Sequence, residues 1–194
     1  MKTGHKGFTL LELVIVIGIL AILGAISVLV LNPAELFAQA RDTTRLEDLN
    51  TVKNALALYL ATENTTDLSF GGTTCNNELT PTCWSSATGV ALNCGGRHVG
   101  ASDADNGRAV DGLGWVPVNL AGMSAGSPLA VLPADPINNA TNFYSYACNN
   151  ATKTFELNAA LQSTRYTTTD DRDGQDGGNQ AGVYEIGTAP GLSL

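Results

Sequence analysis

The sequence predicts an α+β protein in which a long N-terminal helical region precedes a β-rich head. An apolar run over residues 8–31 is followed by an amphipathic pattern over 32–62. Residues 63–194 instead contain short runs of β-forming residues between turn residues. With residues 1–7 as a short basic leader, these segments give the predicted domain organisation.

The first helix is long enough to cross a membrane. Its apolar run, residues 8–31, would span roughly 36 Å at ~1.5 Å per residue, against a hydrocarbon core of about 30 Å. Glu12 is the one charged residue within this run. A carboxylate is costly in hydrocarbon, so we expect Glu12 to have a function and a partner.

Generic membrane-targeting segments explain the N-terminus only in part. A secretory signal has an apolar core of only about 7–15 residues, which is too short for this run. A lipoprotein needs a cysteine near the leader, and the leader has none nearby. A plain anchor fits the length, with Lys2 and Lys6 holding the N-terminus in the cytoplasm and the head outside. It does not explain Glu12.

The second helix begins at an interruption, Asn32-Pro33. Proline breaks or kinks a helix unless it occupies the first turn of a new one. Beyond it, apolar residues recur at steps of three and four and predict a buried stripe on a helix that ends near Thr62. The stripe consists of Leu46, Leu49, Val52, Leu56 and Leu60.

The same helix carries a band of mixed charge, Arg41, Asp42, Arg45, Glu47 and Asp48. Asp42 and Arg45 are spaced at i, i+3, which lets their side chains meet. Two interpretations are open for this band: salt bridges to another copy of the chain, or a solvated helix face.

The head shows three strand signals. The strongest is a hairpin formed by residues 142–148 and 153–161 around Asn149-Asn150. Residues 181–187 predict a last strand, and residues 115–120 predict an edge strand because Pro117 cannot donate to a ladder.

Four cysteines, Cys75, Cys83, Cys94 and Cys148, all lie beyond the apolar run. An even number in a domain displaced across a membrane suggests two disulfides, for which three pairings exist. We expect Cys75–Cys83 and Cys94–Cys148. The spacing contains no C-x-x-C, which disfavours a zinc site.

The N-terminal motif resembles a known family. A short basic leader that ends in Gly7 and continues as Phe8-Thr9-Leu10-Leu11-Glu12 looks like the cleavage and methylation motif of type IV prepilins and type II secretion pseudopilins. More loosely, the Pro-x-Asp-Pro loop within residues 132–139 and the strand pair after it are similar to the same proteins. The resemblance implies the pilin fold, a long N-terminal helix whose second half packs against a small antiparallel sheet.

The resemblance also implies a function. A prepilin peptidase and methylase would cleave between Gly7 and Phe8 and methylate the new Phe8 amine. An inner-membrane platform would then assemble copies of the chain into a helical homopolymer. Glu12 would direct assembly by pairing with the Phe8 amine of a neighbouring subunit, although pairing within one subunit is an open alternative. The protein would be a single-pass inner-membrane protein before assembly and part of an extracellular pilus or periplasmic pseudopilus afterwards.

Other function classes have less support. A net charge of −8 disfavours nucleic acid as a main partner. Catalysis is disfavoured because His98 is the only histidine outside the leader, and we expect it to be solvated in a loop. A minor pilin and a membrane-tethered binding domain that never polymerises are the alternatives.

The acidic stretch 170–179 suggests one ligand. Asp171, Asp173 and Asp176 alternate with flexible glycines, and calcium prefers oxygen ligands. Major pseudopilins hold calcium in their C-terminal loops, so the resemblance adds to this hypothesis. A solvated loop is the alternative, and no other cofactor is expected.

Overall fold

The structure, a computed structural model, describes residues 7–64, 66–69, 75, 82–98, 101–103, 107–189 and 191–194. Of the predicted leader only Gly7 falls within these residues. The chain divides into two compact units, Met1–Ala38 and Gln39–Leu194, which we describe separately.

Two helices account for the predicted helical region. Helix α1 spans Leu10–Leu31, and helix α2 spans Pro33–Thr62. Between them Asn32 adopts a left-handed conformation with φ of 39°. Because Pro33 occupies the first turn of α2, its missing N–H costs no helical hydrogen bond. The predicted interruption and the predicted end at Thr62 are both confirmed.

The head contains a five-stranded sheet. Its strands are β1 (Thr82–Ser85), β2 (Ala101–Asp103), β3 (Tyr144–Asn149), β4 (Thr154–Ala159) and β5 (Tyr184–Gly187). Their order is β2-β1-β3-β4-β5. The four strands β1, β3, β4 and β5 are antiparallel, and β2 adds a parallel edge strand beside β1. The predicted hairpin and last strand are confirmed, as is the α+β layout.

The predicted edge strand at 115–120 is wrong. This segment makes one isolated bridge, between Asp111 and Asn119, and otherwise lies outside the sheet. Its apolar side chains are buried, and the Trp115 indole N–H donates to the carbonyl of Pro133 at 2.9 Å. The β-forming composition therefore reflects burial in the core, while Pro117 limits strand pairing.

The core of the head lies between α2 and one face of the sheet. On α2, Leu49, Val52 and Leu56 are fully buried, as the predicted stripe requires. They belong to one cluster with Tyr144, Tyr146, Cys148, Phe155 and Leu157 from β3 and β4. At the border of this cluster, the Tyr144 hydroxyl donates to the Asp48 carboxylate at 2.8 Å.

The predicted disulfide pairing is wrong. The structure joins Cys75 to Cys148 and Cys83 to Cys94. Cys83 lies opposite Ala147 in the β1–β3 ladder, and the neighbouring residue Cys148 points to the other face of the sheet. Cys75 and Cys148 therefore belong to the main core, and Cys83 and Cys94 belong to a small cluster around Phe143 on the other face. Spacing along the chain could not reveal this separation by sheet face.

Candidate functional site

The predicted processing and assembly residues lie at the start of α1. Thr9 is the N-cap, and its hydroxyl accepts from the Glu12 backbone N–H at 3.2 Å. In return, Glu12 Oε2 accepts from the Thr9 backbone N–H and from its hydroxyl, both at 2.9 Å. This is a capping box, which fixes where the helix begins. Its Thr-x-x-Glu signature is visible in the sequence and assigns Glu12 a local role that the motif alone did not indicate.

Helix α1 exposes its apolar side chains. Phe8, just before the helix, is 87% exposed, and the large apolar residues of α1 whose side chains the structure describes are about half exposed or more. Leu10–Val28 is long and apolar enough to cross a membrane by length and composition. A contiguous apolar surface of this kind needs lipid or another protein to cover it. Glu12 places one carboxylate within that surface.

A second constellation lies on α2, within the predicted charge band. Arg45 is fully buried, and it donates to Asp42 Oδ1 at 2.8 Å and to Asp135 Oδ2 at 2.6 Å. A second nitrogen of Arg45 donates to Asp135 Oδ1 at 3.1 Å, so this contact is bidentate. For Asp42 and Arg45 both open interpretations, salt bridges to another copy and a solvated face, are therefore wrong. The predicted i, i+3 contact does form.

Backbone donors complete this Arg45 clamp, the group formed by Arg45, Asp42 and Asp135. Asp42 accepts from the backbone N–H of Gln162 and from both the backbone N–H and the hydroxyl of Ser163. Asp135 accepts from the N–H groups that follow it. Burial alone would raise the pKa of Asp135, but the bonds from Arg45 and these N–H groups hold it below its ordinary value. The clamp joins α2 to the Pro-x-Asp-Pro loop and to the segment after β4.

The predicted calcium carboxylates point to separate partners. Asp176 accepts from the backbone N–H groups of Gly178 and Glu185, at 2.8 and 2.6 Å. Asp173 is largely buried, and Asp171 accepts from the Gln175 side chain at 3.4 Å. Among the residues that the structure describes, no three His, Cys, Asp or Glu side chains converge as metal ligands. The structure does not gather the three aspartates as a ligand set, and calcium binding stays a prediction.

The prediction that His98 is solvated is wrong. Its side chain is buried, with Nε2 at 3.0 Å from the Ser145 hydroxyl and Nδ1 at 3.2 Å from the Leu194 carbonyl oxygen; Glu156 Oε1 lies farther from Nδ1, at 3.5 Å. Burial lowers the pKa of His98 to about 4, so the ring is neutral at neutral pH. A hydroxyl, an imidazole and a carboxyl are neighbours as in a hydrolase triad, but Nδ1 is hydrogen-bonded to the Leu194 carbonyl and not to the carboxyl. Because Ser145 and Glu156 are fully buried and His98 is 4% exposed, a substrate cannot reach them.

Comparison with known proteins gives one positive finding. Residues 2–28 match the family model described as the prokaryotic N-terminal methylation motif. No curated protein matches the chain, and no solved structure matches it. The match covers Gly7, Phe8 and Glu12, and therefore the capping box and most of α1.

Proposed function

We propose, from the prepilin-type signal at residues 2–28, that this chain is a structural subunit of a type IV pilus or type II secretion pseudopilus. The observation that carries the proposal is the coincidence of this signal with an exposed apolar helix containing a single carboxylate, Glu12. A methylation signal of this kind points to a structural subunit rather than an enzyme.

Processing would take place on the cytoplasmic side of the inner membrane. Lys2 and Lys6 would keep the leader there, and a prepilin peptidase would cut between Gly7 and Phe8. Exposure supports this step, because Phe8 is 87% exposed and a Cβ placed on Gly7 would have no heavy atom within 4 Å. The bond is therefore accessible to an enzyme.

Assembly would follow from the geometry at Glu12. Its Oε2 accepts both bonds from Thr9, and the side chain remains exposed on α1. Cleavage creates a cationic amine at Phe8, and in a helical filament the amine of one subunit meets the same site of the next without closing a ring. Apolar surroundings strengthen the attraction between the two charges.

Processing is tested by the mass of the N-terminal peptide of the mature protein. We expect a chain that begins at Phe8 and carries one added methyl group. Gly7→Val removes the glycine before the cut and is expected to leave the leader attached, whereas Gly4→Val, a control within the leader, is cleaved normally. Cleavage at another position would overturn the processing step.

Imaging of sheared surface filaments that contain this subunit separates the finer alternatives. Long filaments in the sheared surface fraction favour a pilus, and short filaments that imaging of whole cells finds only in the periplasm favour a pseudopilus. A processed, membrane-bound protein that enters no filament would favour the membrane-tethered binding domain.

A further inference from the structure

The sheet has a polar face opposite the α2 core. Along β4, Glu156 and Asn158 lie on this face, while Phe155 and Leu157 point into the core. On the neighbouring strand β5, Glu185 lies opposite Asn158. Glu156 is fully buried and Glu185 is 2% exposed, so two carboxyls occupy the buried junction of two strands.

We propose that Glu156 and Glu185 form a proton-sharing carboxyl pair that fastens β5 to β4 at neutral pH and loosens it as the pH rises. In the β4–β5 ladder Glu156 lies opposite Gly187 and Asn158 lies opposite Glu185, so the two glutamates are diagonal neighbours on one face of the sheet. Long side chains at diagonal positions can reach each other, and a proton on one carboxyl lets it donate to the other. Without that proton Glu185 Oε1 has no donor and is buried unsatisfied.

No group in hydrogen-bond contact with the pair, within the part of the chain that the structure describes, is a cation at neutral pH. Glu156 accepts from Asn158 Nδ2 and from the Leu194 N–H, both at 2.9 Å, and His98 beside it is neutral above pH about 4. Glu185 Oε2 accepts from the Gln180 N–H at 2.8 Å, and Asp176 adds a further negative charge nearby. Among the described residues, no lysine or arginine forms an ion pair with either glutamate.

The loop that contains Gly178 and precedes β5 packs directly on this junction. A Cβ at Gly178 would collide with Glu185 Oε2, so a glycine is needed there for the loop to pass over the carboxyl. On the open side, Glu185 lines a groove together with Lys53 of α2, Arg172 and Asp176. The junction therefore has one closed side and one side through which solvent enters when β5 moves.

Two buried carboxyls on neighbouring strands of one sheet face cannot both ionise cheaply. Burial, followed by the neighbouring Glu156, raises the pKa of Glu185 to about 8. From the unfolded value near 4.5 up to about 8, closed β5 holds one more proton than detached β5. The free energy that holds β5 therefore falls as the pH rises through this window, and the opening equilibrium grows about tenfold per pH unit.

Infrared spectroscopy of the full chain in detergent micelles tests for the shared proton. We expect a protonated carboxyl band at pH 7 that disappears with an apparent pKa near 8. Glu185→Gln and Glu156→Gln should each remove the band, and the exposed control Glu47→Gln should keep it. Because a glutamine amide still donates to the remaining carboxylate, these variants should fold. Absence of the band at pH 7, or its persistence in both variants, overturns the proposal.

Chymotrypsin cleavage at Tyr184, the first residue of β5, tests the release. After normalisation to an unstructured peptide, the cleavage rate should rise about tenfold per pH unit between pH 6 and 8. In Glu185→Gln the rate should be independent of pH. A flat rate in the unsubstituted protein, or the same rise in Glu185→Gln, overturns the coupling of β5 to the pair.

Discussion

Arg45 Nε lies 2.6 Å from Asp135 Oδ2, although the two residues are 90 positions apart in the chain. Both side chains are fully buried. The contact holds the loop that carries Asp135 on α2, and Asp42 on the same helix is the second carboxylate bound by Arg45. A buried ion pair forms only where hydrogen bonds satisfy the remaining polar atoms, and the backbone donors around both aspartates meet that condition.

Breaking the Arg45 clamp should strongly destabilise the head. Asp135→Asn removes the charge from the bidentate partner of the buried guanidinium and leaves Asp42 as its single carboxylate, whereas Arg45→Ala leaves two buried carboxylates uncompensated. We expect a loss of about 3–5 kcal/mol for Arg45→Ala, measured by denaturant unfolding of the full chain in micelles.

The control for the clamp is an exposed pair. Arg165 and Asp170 lie 3.3 Å apart with side chains 56% and 32% exposed. Arg165→Ala should therefore cost less than about 1 kcal/mol. Equal effects of Arg45→Ala and Arg165→Ala would contradict the assignment of the clamp.

His98 should make the head sensitive to acid. Its pKa is about 4 in the folded protein against 6.5 in the unfolded chain, so between these values the unfolded chain binds more protons. Stability therefore falls as the pH decreases from about 6.5 to about 4, by up to about tenfold in the unfolding equilibrium per pH unit. The difference in stability between the unsubstituted protein and His98→Gln should decline over this range. A constant difference would show that His98 does not titrate as its burial requires.

The two disulfides should contribute unequally. Cys75–Cys148 closes a loop of 73 residues and Cys83–Cys94 one of 11. The loop-entropy relation gives losses of about 4 and about 3 kcal/mol when each pair is replaced by serines. Peptide mapping without reduction checks the connectivity, and unfolding experiments check the order of the effects. Recovery of a Cys75–Cys83 peptide would contradict the structure.

Calcium binding by residues 170–179 can be tested separately. If the sequence-based prediction is right, the melting temperature of the full chain rises with calcium and falls with a chelator, and Asp176→Asn removes the difference. The exposed control Glu47→Gln should leave it unchanged. Equal melting temperatures in calcium and in chelator would end the hypothesis.

Local patterns predicted most of the secondary structure. The stripe through Leu49, Val52 and Leu56 identified the buried face of α2, and the turn at Asn149-Asn150 identified the hairpin. Both signals arise from residues close together in the chain. At the N-terminus, the motif from Gly7 to Glu12 was likewise contained in one short segment.

Long-range relationships could not be predicted in the same way. The i, i+3 spacing indicated the contact between Asp42 and Arg45, but their burial depends on Asp135 and Ser163, which are distant in sequence. His98 is buried because its partners come from β3 and β4. In each case the sequence identifies the titratable residue, but it does not identify the distant residues that bury it.

We propose that Glu12 directs polymerisation and is not needed for membrane insertion. The test compares Glu12→Gln with a control, Glu47→Gln, on the exposed face of α2. For each variant, the yield of sheared filaments and the amount of processed protein in the membrane are measured. We expect Glu12→Gln to leave processed, membrane-inserted protein that does not enter filaments, while Glu47→Gln assembles normally. Normal filament yield from Glu12→Gln would contradict it.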